Sequence, residues 1–333
     1  MNMKCLLSCF FSFYLVACAE HGLDTLPPTP EVIGAVNFPS DQLRVVPGVQ
    51  PPVAVLEAMN RNYGESQRNC LEYGSSLPRG HYYCSGVLLR TVDDGNFNPW
   101  NYSPAAVALG ATSYSWIRQD VNNRILYHPA GFILRNKAEA NALGLRALET
   151  GFVCLYPFDA GTLANLNNHQ GCGIRPAIAT QAINTRSPHR ELKNNNPYGW
   201  GSCDGVGVST AEQWNNYLIA HGTTLDRQCS WNIESQSGWN AMVASRPTFP
   251  QYANTWNEIM LNNKAGDNGD SLKPFIAAFF YDVTRGGGLQ AARNFQTKLN
   301  ANGYNVPILR LDFSTPSAQR FFYVEADQAV PQQ

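Results

Sequence analysis

Arg90, Ser113, Ser115, Trp116, Arg118 and Asp120 are the residues of this chain whose types and spacing most readily support chemistry. Arg90 lies near the end of HYYCSGVLLRTV (81–92), an aromatic and β-branched run that reads as a strand. An arginine at a strand's end presents a planar fork of donors that can clamp a pyrophosphate. Thr112 to Arg118, TSYSWIR, alternates small polar and aromatic residues and reads as a second strand. Its serines can orient a carboxylate, and its tryptophan can stack on a planar heterocycle. The same residues also fit a quieter role, as strand-end charges and hydroxyls on a solvated sheet face.

Other motifs carry less. Gly286-Gly287-Gly288-Leu289-Gln290-Ala291 satisfies G-x-G-x-x-G/A between a predicted strand and a predicted helix, with Asp312 further on. A dinucleotide-binding half would continue into further βα units, and only 21 residues follow Asp312. The run therefore reads as a strand-to-helix turn. His81, His128, His169, His189 and His221 include no pair at metal-ligand spacing, and Cys-x-x-Cys is absent, so no metal is expected. G-x-S-x-G is also absent. A Ser/His/Asp triad stays open, because its members need not be neighbours in sequence.

Periodicity supplies the elements that must position these groups. Val53 to Tyr63 has helical spacing through Val53, Leu56 and Met59. Ala138 to Glu149 reads as a helix leading into a strand at Phe152 to Tyr156. Ser209-Thr210-Ala211-Glu212 has the form of a capping box, opening a helix that Gly222 ends. A further helix is predicted over Tyr252 to Asn262. Towards the C-terminus, Phe275 to Val283 reads as a strand, Leu289 to Leu299 as a helix, and Val306 to Phe313 and Phe321 to Glu325 as strands. Residues 159–173 and 184–207 are loop-like, and no repeat is visible. The pattern predicts an α+β fold: mixed sheets of short strands with flanking helices.

The N-terminus carries Lys4 and then an uncharged run from Cys5 to Cys18. That length suits the apolar region of a secretory signal and falls short of a membrane span, which needs about 20 residues. Residues 1–19 are expected to be a removed signal peptide, cut after Ala17-Cys18-Ala19. Leu15-Val16-Ala17-Cys18 also fits the lipoprotein rule, which would make Cys18 a lipid anchor in the outer membrane. Residues 20–52 are proline-rich and read as a leader or linker, and 53–333 as a single domain. Processing leaves Cys70, Cys84, Cys154, Cys172, Cys203 and Cys229. An even set in an exported chain predicts three disulfides. The simplest of several pairings is sequential, 70–84, 154–172 and 203–229, each loop contributing about 3 kcal/mol. A formal net charge of -1 leaves no electrostatic footprint for nucleic acid.

Ordered blocks extend the reading. CSGVLLRTV (84–92), SYSWIRQD (113–120), YPFDAGT with NHQGCG (156–173), VSTAEQW (208–214), FIAAFFYDVTRGGG (275–288) and VPILRL with FFYVEADQAV (306–330) together resemble the halovibrin family. These are secreted bacterial proteins associated with NAD glycohydrolase and ADP-ribosyltransferase activity. The resemblance implies an ADP-ribosyltransferase-like core with NAD as substrate and no separate cofactor. Enzymes of that type commonly use an arginine on the first strand, a Ser-x-Ser-like strand, and a later glutamate in an E-x-E or Q-x-E turn. Arg90 with Ser113 and Ser115 matches the first two parts. No E-x-E or Q-x-E occurs, the nearest being Glu325-Ala326-Asp327. The missing position mainly serves an acceptor residue, so its absence leans toward water as acceptor.

The implied activity is a secreted NAD glycohydrolase, with Arg90, Ser113, Trp116 and Arg118 binding NAD and Ser115, Asp120 and Glu149 catalytic. Its carboxylate, which stabilises an oxocarbenium-like state, would come from Glu149, Asp120, Asp159 or Glu325. Glu212 and Glu258 read as structural. A mono-ADP-ribosyltransferase toxin acting on a host protein is the nearest alternative. A non-enzymatic secreted surface-binding protein is the alternative of another class.

Overall fold

The apolar run Ile276–Asp282 is buried at every position, which a strand achieves only inside a sheet covered on both faces. The computed structural model describes residues 51–65, 70–71, 78–79, 81–93, 95, 98–109, 111–121, 126–145, 152–158, 203, 207–221, 231, 236–245, 256–263, 267–314, 317 and 319–332. All lie within the unit Val45–Gln333. The expected signal and nearly all of the leader, with Glu149, Asp159, His169 and His189, fall outside the described residues.

Strands β1 (Cys70–Leu71) and β2 (Pro78–Arg79) pair as a short antiparallel ribbon. The remaining strands are β3 (Val87–Thr91), β4 (Ala111–Ile117), β5 (Ala130–Leu134), β6 (Phe152–Tyr156), β7 (Glu258–Asn262), β8 (Ile276–Asp282), β9 (Ile308–Leu311) and β10 (Phe321–Tyr323). They form one eight-stranded sheet in the order β10-β9-β8-β5-β3-β4-β7-β6. Every neighbouring pair is antiparallel except β8 and β9.

Helices cover both faces. Helix α1 (Pro52–Gly64) seats Val55, Met59 and Tyr63 among Leu89, Ile117, Ile133, Phe280 and Leu309. After α2 (Pro104–Leu109), α3 (Lys137–Ala142), α4 (Ala211–His221) and α5 (Gln236–Ser245) comes α6 (Gly288–Asn300), which links β8 to β9. Its Ala291, Ala292, Phe295 and Leu299 pack on the opposite face with Leu88, Tyr114, Phe132 and Phe279. These two surfaces are called the α1 face and the α6 face below. A third apolar cluster joins α4 and α5 through Trp214, Tyr217, Trp231 and Ala241.

The protein is a mixed helix-and-strand fold, as its short alternating elements predict. Three local expectations are corrected. Where described, the helix predicted over 252–262 is instead β7 (Glu258–Asn262), whose Ile259, Met260 and Leu261 are all buried between β4 and β6. Such a short apolar run fits either period, and burial on both faces selects the strand. The helix predicted to reach Glu149 stops at Ala142, before Gly144 at φ 69°. At α4 the cap is shifted by one residue: Gln213 N donates to Thr210 Oγ1 at 3.2 Å, and Thr210 N donates back to Gln213 Oε1 at 3.1 Å.

Cys84 and Cys203 are each disulfide-bonded. Cys172, Cys229 and the side chains of Cys70 and Cys154 lie outside the described residues, and the expected pairing with them. Among the described residues no helix is long and apolar enough to cross a membrane.

Candidate functional site

Alternate residues of a strand point to opposite faces, so register decides which side chains meet. Leu89 of β3 pairs with Ser115 of β4, and Ser113 and Tyr114 pair with Met260 and Ile259 of β7. One further step sets Ser115 opposite Glu258, and Glu258 pairs with Tyr156 of β6 on its other side. Ser115, Glu258 and Tyr156 thus form a polar row on the α1 face. The row continues through Leu89 and Ile133 into the apolar surface beneath α1. Glu258 is 2% exposed, and Ser115 is also buried. A carboxylate at such a position acts on neighbouring charge through a low local dielectric.

Asn257 fixes the step at which Ser115 and Glu258 meet. Its fully buried amide accepts from Trp116 N at 2.7 Å and donates to Trp116 O at 2.6 Å. The side chain thereby imitates a strand residue and prolongs the β4–β7 ladder.

An exposed aromatic pair adjoins these elements in sequence. Leu126 belongs to the apolar cluster beneath α1, and the next residue, Tyr127, is 61% exposed. Its ring meets that of Trp256, two residues before Glu258, edge to face at 5.1 Å. Arg285 holds this segment by donating from Nη1 to the carbonyls of Leu126 at 2.6 Å and Tyr127 at 3.3 Å.

Arg90, one residue after Leu89, points the other way, onto the α6 face beside Tyr114. The expected grouping of Arg90 with Ser113 and Ser115 is therefore split between two faces by the pleat. Arg90 Nη1 donates to Asn101 O at 3.4 Å.

Trp116, Arg118 and Asp120 do come together, but as a closed network. Arg118 is 1% exposed and grips both carboxylate oxygens of Asp120, Nε to Oδ1 at 2.7 Å and Nη2 to Oδ2 at 2.8 Å. Its Nη1 meets His81 Nδ1 at 2.7 Å and donates to Ser85 Oγ at 3.0 Å. A guanidinium only donates, so Nδ1 accepts and the imidazole proton sits on Nε2. Burial, reinforced by the Arg118 charge and only partly opposed by Asp120, lowers the His81 pKa to about 4. Trp116 is fully buried, with Arg118 4.8 Å from its ring centroid and Trp239 at 4.6 Å. It has no face for a substrate ring, and Arg118 has no free fork for a pyrophosphate.

The remaining candidates have structural duties. Glu325 accepts from the Tyr323 hydroxyl. In the glycine run, a β-carbon at Gly288 would stand 2.7 Å from Pro129 O, so close packing of α6 accounts for that glycine. Asp312 Oδ1 accepts from Ser314 N at 2.7 Å in a turn. Among the described residues no cluster of His, Cys, Asp or Glu could hold a metal ion.

Sequence reasoning read Glu258 as structural and passed over Asn257, Tyr127 and Trp256. The signal that could have found the first two is the polar pair Asn257-Glu258 directly ahead of the apolar Ile259-Met260-Leu261, the mark of a strand entering a core. No protein-family model and no curated protein matches the chain.

Proposed function

We propose that the chain is an NAD glycohydrolase in which Glu258 is the carboxylate that stabilises the reacting ribose. The observation that carries this is the buried row Ser115–Glu258–Tyr156, an acid on the strand next to a Ser-x-Ser strand. In NAD cleavage the bond from ribose C1′ to the nicotinamide nitrogen breaks, and its electron pair neutralises the pyridinium. The ribose is left oxocarbenium-like, and a preorganised carboxylate in a dry setting stabilises that charge best. In this reading Ser115, next to Glu258 by strand register, holds the carboxylate's orientation. Water adds its oxygen to C1′ and releases a proton, giving ADP-ribose and nicotinamide. The exposed Tyr127 ring, backed by Trp256, offers the stacking surface that Trp116 lacks. Action outside the cytoplasm is supported by the signal-like N-terminus and by two disulfide-bonded cysteines.

Incubating the protein with NAD tests the reading. Release of free ADP-ribose without any protein acceptor is expected, with a loss of about 100-fold or more in Glu258→Gln at unchanged circular dichroism. Label appearing only on host protein would establish transfer instead. No turnover at high protein concentration would leave the binding-protein reading.

A further inference from the structure

We infer that Tyr127 carries the adenine end of NAD and holds the base by its flat face alone, so that other planar bases are accepted there; this rests on the NAD reading above. The starting observation is a contrast in exposure: Glu258 is 2% exposed and Tyr127 is 61% exposed. Cleavage of the nicotinamide bond needs a setting from which water is excluded. A ring as wet as Tyr127 therefore serves the far end of the dinucleotide. Trp256 keeps it within reach of the reacting end. Two residues span at most about 7 Å of chain between Trp256 and Glu258. The Tyr127 ring then meets the Trp256 ring at 5.1 Å.

Tyr127 is also fixed in place, although most of it faces solvent. The His128 ring packs against it edge to face at 4.4 Å, and Arg285 Nη1 holds its backbone through the Leu126 and Tyr127 carbonyls. An aromatic ring held rigid in water is preorganised for stacking. Such a place is poor at reading the edge of a base. Strong rejection of a wrong base requires a buried donor or acceptor that the wrong base leaves unpaired. Here the two carbonyls nearest the ring already accept from Arg285, at 2.6 Å and 3.3 Å. Any further hydrogen bond at so exposed a ring replaces one to water and discriminates little. Stacking is what remains, and every purine has a face to stack.

Nicotinamide release from three substrates tests the inference. They are NAD; nicotinamide hypoxanthine dinucleotide, in which an oxo group replaces the adenine amino group; and nicotinamide mononucleotide, which lacks the adenylate half. The hypoxanthine analogue should match NAD in kcat/KM to within about threefold. Tyr127→Ala should lower both about tenfold, through KM, while the mononucleotide, with no base to stack, is insensitive to the change. Tyr127→Phe, which keeps a flat ring, should restore both. Calorimetric titration with adenosine and inosine monophosphates supplies a readout that needs no turnover. Each should bind the wild type, and bind Tyr127→Ala about tenfold more weakly. That pattern in a protein that leaves NAD intact would support this site and overturn the glycohydrolase reading. Equal binding of adenosine monophosphate by wild type and Tyr127→Ala overturns the inference, whether or not NAD is cleaved. So does a hypoxanthine analogue poorer than NAD by more than about tenfold, or an equal loss on all three substrates in Tyr127→Ala.

Discussion

His81 is a buried imidazole pressed against a buried guanidinium, and its consequence is a specific acid sensitivity. Its folded pKa of about 4 lies below the ordinary value of 6.5. Between those values the unfolded chain takes up a proton that the folded chain refuses, so stability falls as pH drops from about 6.5 to 4 and levels off below. The full effect is about 3 kcal/mol at most. Urea midpoints across that window should decline in the wild type and lose this component in His81→Asn; parallel curves would contradict the assignment. Gly86 is the other sensitive residue here. Its φ is 70°, and a β-carbon would stand 2.1 Å from the Trp116 indole. Gly86→Ala should cost about 3 kcal/mol or more in denaturant unfolding. At this scale the sequence was only half legible. Trp116, Arg118 and Asp120 were recognisable as residues of consequence. Nothing in their types distinguishes a substrate clamp from a self-satisfied buried network, because both need the same donors and acceptors.

Among the elements, β7 shows best how a short strand is secured. Asn257 satisfies the backbone N–H and C=O of Trp116, and Asn257→Ala strands both inside the protein. The expected loss is about 2–5 kcal/mol of stability. On the proposed function NAD turnover should fall as well, because Glu258 loses its register against Ser115. A variant of normal stability would show that water replaces the amide. The C-terminal elements are held differently, by side chains reaching across them. Asp327 accepts from Arg310 Nε at 2.7 Å and from the Tyr281 hydroxyl at 2.8 Å, while Arg293 donates to the Asp327 carbonyl at 2.9 Å. Burial pushes the Asp327 carboxyl up, but those hydrogen bonds outweigh it and hold its pKa below the ordinary value. Its contribution is therefore present at neutral pH and lost as acid protonates it. Elements β8 and α6 were legible to within a residue at each end, and β9 and β10 to within two, since continuous apolar strands and an amphipathic helix signal locally. β7 was not, because its strand character is conferred by β4 and β6, which are distant in sequence.

The whole sheet is joined by contacts that no local pattern announces. Ala130 of β5 pairs with Tyr281 of β8, and Asn60 of α1 donates to Phe321 O at 2.9 Å, near the other end of the chain. The mixed class could be foreseen; the strand order could not. Because β8 stands between β5 and β9, the sheet has no completed centre until the last three strands arrive. Removing residues 275–333 should yield insoluble protein that binds a hydrophobic dye, since β5 (AGFIL) would present a bare apolar edge; a soluble, dye-negative fragment would refute this. If the chain is exported N-terminus first, as proposed above, this wiring sets a schedule. The emerging part cannot close prematurely, because the piece that locks the middle is the piece made last. On that export, late completion would keep the chain threadable until its tail is through, and β5 would then gain its partner within the same molecule.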